Sequence, residues 1–222
     1  SFKPIYMQDA RITIHADMAR PGWPDVLRRL VSKPLWPIEL ERAGASIRFE
    51  NLPTLREGVR IQNRMKAGRD LPAELHVGNL HNIYDTKRSV DIQGVKISCC
   101  PVWHPQTCLS YRIVLPDKVI VLGTDREHGM KDLDRLFFKF CKGADVLLHD
   151  AQFTPEDYAA HEGWGHSTWE VGVNLARELK VSEFILVHHA PDRRDNEIDA
   201  IVRKARRIFP STYAATQNMV LA

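Results

Sequence analysis

No apolar run in the chain approaches the roughly 20 residues that a membrane-spanning helix needs, which points to a soluble protein without a membrane partner. Cysteine is scarce. Cys99, Cys100, Cys108 and Cys141 form neither a CxxC pair nor the spacing of a disulfide scaffold, so reduced thiols in a cytoplasmic protein are expected. No basic, apolar leader with a small-residue cleavage site opens the sequence, and nothing marks export. Net charge is small as well: a formal +3 does not argue for nucleic acid by itself. The basic cluster Arg203, Lys204, Arg206 and Arg207 reads as the solvated face of a helix. Internal repeats and low-complexity tracts are also lacking.

What is present suits one globular domain over residues 1–222, with 44% hydrophobic and 27% charged residues. "ARITIHAD" and "ASIRFENL" alternate like half-buried strands, and "WPDVLRRLV" between them reads as a short helix entered through Pro24. "SVDIQGVKISCCPVWHP" predicts two strands around a Gly94 turn, and "LSYRIVLPDKVIVLGTD" a hairpin turning at Pro116 to Lys118. "KDLDRLFFKFCKGA" reads as a helix stopped at Gly143, followed by the buried-type run "DVLLHDAQF". Ser167 with Glu170 forms a candidate capping box, and Val171, Leu175 and Leu179 share one face of the helix it opens. "EFILVHHAP" predicts another strand, and Ile198, Ile201, Val202 and Ala205 mark a helix ended by Pro210. Hairpins followed by alternating helices and strands give an α/β layered fold.

Four of these strands end on a residue able to bind metal or move a proton: His104, Asp125, Asp150 and His188. Strand ends that converge on one sheet edge are where such folds place their sites. Imidazole and carboxylate suit zinc, manganese or iron, and a carboxylate can bridge two ions. Such a pair can hold a hydroxide and clamp a phosphoryl group for in-line attack. His166 lies just ahead of a helix start, where Gly163 and Gly165 allow close approach, so it suits a general acid oriented by Asp150.

In this order, "VWHP", "LGTD", "LLHDAQF", "GWGHSTWE" and "ILVHHAPDR" resemble the later motifs of the metallo-β-lactamase-fold hydrolases, in the branch of tRNase Z and small phosphodiesterase-like proteins. The resemblance implies an αββα sandwich with His104, Asp125 and His188 as metal ligands and Asp125 as the bridge. It implies His166 as proton donor, with Asp150 standing where relatives have an orienting glutamate. His189 then falls outside the ligands, His149 is structural, and His161 and Trp164 pack the loop or line the mouth of the site.

One departure is large. The family's leading HxHxDH motif is absent, and no His-x-His occurs among the ten histidines. The opening "SFKPIY" resembles a segment just downstream of that motif, so the expectation is an N-terminally incomplete domain lacking its first βαβ part. The expected function is hydrolysis of a phosphodiester, such as a cyclic nucleotide or similar small ester, with two divalent ions in the complete domain. Two alternatives stand beside it: a catalytically incompetent fragment or binding module of the same fold, and a tRNA 3′-processing endonuclease. Because no tRNA-clamping arm is evident, nucleic acid is the less favoured partner, and the family resemblance implies a homodimer.

Overall fold

The structure is a computed structural model that describes residues 11–16, 46–51, 90–92, 94–106 and 108–221. The chain divides into two compact units, Ser1–Arg56 and Glu57–Ala222. In the first, β1 (Arg11–Ala16) and β2 (Ser46–Asn51) pair in parallel, from Arg11 opposite Ser46 to Ala16 opposite Asn51. A parallel pair needs a crossover connection. The helix expected over "WPDVLRRLV" falls in that connection and lies outside the described residues.

The second unit contains a seven-stranded sheet among its described residues, built from β3 (Val90–Ile92), β4 (Val95–Val102), β5 (Cys108–Val114), β6 (Val119–Gly123), β7 (Val146–Asp150), β8 (Glu183–Val187) and β9 (Thr212–Ala214), in that spatial order. The first four strands form antiparallel hairpins and the rest pair in parallel. Both expected turns form where the sequence puts them. Gly94 adopts a φ of +86°, with its N–H donating to Asp91 at 2.9 Å, and the Leu115 N–H donates to the Lys118 carbonyl at 2.8 Å. Since β5 alone is reversed between β4 and β6, strands β4, β6, β7 and β8 all finish at the same edge.

Helices α1 (Lys131–Cys141), α2 (Pro155–Tyr158), α3 (Trp169–Leu179) and α4 (Asp195–Arg206) follow the hairpins. One apolar cluster joins Phe137 and Phe140 of α1, Val173 and Ala176 of α3 and Ile201 and Ala205 of α4 to Val121, Leu147, Phe184 and Leu186 of the sheet. These helices therefore cover one face. Val146, Ile185 and Val187 form a second cluster, so alternate residues of β7 and β8 serve opposite faces, as the period of two requires. The exposed flank of α4 carries Arg203, Lys204 and Arg206, the solvated face read from sequence. No described helix is long and apolar enough to cross a membrane.

Candidate functional site

The shared sheet edge collects the expected side chains. His104 follows β4, Asp125 lies two residues past β6, Asp150 is the last residue of β7 and His188 follows β8. Ligand atoms of His104, Asp125 and His166 all lie within 4.8 Å of one another, and the same holds for Asp150, His166 and His188. Asp125 links the two groups, because its Oδ1 is 3.6 Å from His188 Nε2. The five residues singled out from sequence therefore meet, although the expected ligand triad of His104, Asp125 and His188 is distributed over both groups.

Local backbone helps to aim them. Asp125 and His188 have φ values of +48° and +59°, a left-handed conformation that costs non-glycine residues on the order of 1 kcal/mol and that Asp and His accept better than most. The Gln106 N–H donates to His104 Nδ1 at 3.1 Å. Asp150 is fully buried; its Oδ2 accepts from His166 Nδ1 at 2.9 Å, and its Oδ1 accepts from the N–H groups of Ser167 at 3.1 Å and Gln152 at 3.2 Å. Burial works to lower the pKa of His166. The hydrogen bond and charge of Asp150, with Asp125 and Glu127 behind it, outweigh burial and hold the imidazole above its ordinary value. The His166 ring stacks on His188 at 4.7 Å and meets His104 edge-on at 5.5 Å.

The loop carrying His166 is fixed by a residue that sequence patterning passes over. Glu127, only 2% exposed, accepts from the Gly163 N–H at 2.6 Å, the Gly165 N–H at 2.7 Å and the Tyr158 hydroxyl at 2.9 Å. Its own N–H donates to the Trp103 carbonyl at 2.9 Å, which ties the loop to the His104 strand. Gly165 must be glycine: its φ is +96°, and a Cβ there would lie 2.2 Å from His104 Cδ2 and 2.5 Å from Pro105 Cδ. The only sequence signal for Glu127 was its place two residues after Asp125.

Arg126 was also missed. It is buried, paired with Asp134, set over the Phe137 ring at 4.4 Å and bonded through Nη1 to His149 Nε2 at 3.0 Å. His149 bonds through Nδ1 to the Asp150 carbonyl at 2.8 Å, which fits the structural role expected for it. His161 packs the loop, stacking on Phe153 at 4.6 Å, whereas Trp164 is 61% exposed. His189 is half-buried.

The helix cap needs correction: Thr168, rather than Ser167, is the N-cap of α3, accepting from the Val171 N–H at 3.2 Å. The Ser167 N–H is already committed to Asp150. Val171, Leu175 and Leu179 flank the buried face, which consists of Trp169, Gly172, Val173 and Ala176. Cys108 lies beside the site, and burial and then Asp125 push its thiol up to about 11, which favours the protonated form near neutrality.

A family model described as the beta-lactamase superfamily domain matches residues 49–189. Ribonuclease Z of Oceanobacillus iheyensis is 34% identical over 103 residues, covering 46% of this chain and 32% of that protein. Ribonuclease Z of Brevibacillus brevis is 31% identical over 104 residues, covering 45% and 31%. These matches span about a third of the relatives' own length. Among solved structures, human tRNase Z, short form, aligns with a TM-score of 0.56 at 14% identity, covering 97% of this chain and 68% of that one. The metallo-β-lactamase fold protein YhfI from Bacillus subtilis aligns with a TM-score of 0.55 at 12% identity, covering 95% and 62%. At those identities the likeness shows the fold, which is the α/β metallo-β-lactamase fold expected from sequence.

Proposed function

Because the chain belongs to the beta-lactamase superfamily domain family, we propose that it is a metal-dependent hydrolase of a phosphodiester, with His104, Asp125 and His188 as metal ligands and His166 as proton donor. The observation that carries this reading is the position of Asp125. Its carboxylate shares a 4.8 Å cluster with His104 on one side and lies 3.6 Å from His188 on the other, a position that supports its being a ligand common to both groups. The donor set fits such ions: imidazole nitrogens and carboxylate oxygens are what zinc, manganese and iron accept, and zinc suits this mixture best. When bound, two divalent ions supply Lewis-acid stabilisation of a phosphoryl oxygen and an activated water.

The chain's own residues do the rest. Asp150 accepts a hydrogen bond from His166 Nδ1–H, so the ring is held in one orientation and its other nitrogen can deliver a proton to a leaving oxygen. Carboxylates around His166 keep the imidazolium populated at higher pH than for an ordinary histidine, which suits a general acid. The buried Glu127 keeps the loop, and with it His166, against the His104 strand.

Elemental analysis of protein purified without chelator tests the reading. With the complete domain about two divalent ions per chain are expected, and close to none for its Asp125→Ala variant. A wild-type chain without metal would support the binding-module alternative. His166→Ala should retain its metal and lose about 100-fold or more in turnover of bis(p-nitrophenyl) phosphate. Full turnover would remove the proton-donor role. A second reading, RNA cleavage, draws support from the relatives named Ribonuclease Z. Cleavage of a tRNA precursor at its 3′ side, with little turnover of small diesters, would favour it.

A further inference from the structure

The loop that carries His166 spends hydrogen bonds on a residue that the proposed chemistry does not use. Trp164 is 61% exposed, the most exposed aromatic among the described residues. An indole on a loose loop would be unremarkable, since single apolar side chains are common on surfaces. This loop is clamped. The two oxygens of Glu127 hold the N–H groups of Gly163 and Gly165, the residues immediately before and after Trp164. The Trp164 N–H donates to the His161 carbonyl at 3.1 Å, and the indole rests edge-on against the His161 ring at 4.7 Å. His161 is backed in turn by Phe153. On its other side the loop touches the site directly, with Gly165 packed on His104 and Pro105.

An exposed indole on a main chain held at both flanks, one residue from the contact with His104 and two from His166, has the properties of a stacking platform. A large aromatic face that loses no backbone freedom on binding is the device by which proteins hold a nucleobase. We propose that Trp164 stacks on an aromatic base carried by the substrate, so that the phosphodiester is a nucleotide ester. This deepens the phosphodiester reading above and rests on it. Specificity would then come from the platform, whereas the phosphoryl group is handled by the strand-end residues.

Calorimetric titration of the full chain with adenosine 5′-monophosphate and with ribose 5-phosphate separates the two ideas. The nucleotide should bind on the order of tenfold more tightly than the sugar phosphate. Trp164→Ala should abolish that preference while leaving ribose 5-phosphate affinity unchanged, and Trp164→Phe should keep most of it. The variant should fold, because Glu127 grips main-chain groups that the substitution leaves in place. Equal affinities in the wild type, or a preference that survives Trp164→Ala, would overturn the stacking role and leave the phosphodiester site standing. Failure of both ligands to bind the wild type would overturn that site reading, and the stacking role with it.

Discussion

Glu127 concentrates the energetics of the candidate site at a single side chain. A carboxylate removed from water needs hydrogen-bond donors, and this one has three, from Gly163, Gly165 and Tyr158. The Tyr158 hydroxyl is committed to the arrangement: burial, and then Glu127, push its pKa well above the ordinary tyrosine value. Truncation to Glu127→Ala would leave two amides and a phenol without an acceptor and should cost about 3 kcal/mol. The expected readout is a lower urea midpoint with an unchanged slope. A loss below about 0.5 kcal/mol, the range of ordinary surface substitutions, would show that the loop is held by something else. Apart from its place two residues after Asp125, nothing in the sequence around Glu127 announces this. A charged residue in a loop reads as solvated until its partners, 36 and 38 positions further on, are brought to it.

At the scale of the element, α3 shows how a locally legible helix takes its details from its surroundings. Ser167 and Thr168 are both good N-cap residues, and sequence favoured the first because Glu170 completes a box with it. The choice falls on Thr168 because Ser167 is drawn into the Asp150 hydrogen bonds and the Phe153 N–H donates to the Ser167 carbonyl at 3.2 Å. Thr168→Ala should therefore cost about 1 kcal/mol, measured by chemical denaturation. The buried face is similarly set from outside, since Gly172 lets the helix lie directly on the sheet. A Cβ there would stand 2.8 Å from both His149 Nδ1 and Phe184 Cζ. Gly172→Ala gains about 1 kcal/mol of helix propensity but overpacks that contact, at a cost of about 1–3 kcal/mol. A lower thermal midpoint is the expected result, and a raised one would mean that the helix can shift away from the sheet at little cost.

For the whole molecule, two imidazoles kept neutral by their surroundings, the buried His149 and the half-buried His128, couple folding to pH. Burial, followed by the neighbouring Arg126, lowers His149 to about 3, and the same two causes lower His128 from its ordinary value. The unfolded chain, with histidines near 6.5, binds more protons below that pH than the folded one does. Stability from these groups is therefore complete above about pH 6.5 and is lost as pH falls toward the folded values, at up to about 1.4 kcal/mol per pH unit for His149 alone. Denaturation at a series of pH values should show this slope, and His149→Gln should flatten it by up to one proton whatever its absolute stability. By itself the sequence determined the order of strands and helices between Val90 and Arg206, the short helix Pro155–Tyr158 apart, and the strand ends that carry His104, Asp125, Asp150 and His188. Periodicity, turn residues and chain order are local properties, and a side chain at a strand end keeps its place however the rest packs. Only the tertiary structure decided that Arg126 and Glu127 are interior residues, which of two adjacent hydroxyls caps α3, and that Trp164 stands exposed while His161 packs. Those outcomes depend on partners distant in sequence, because a buried charge is tolerated only where such partners converge on it.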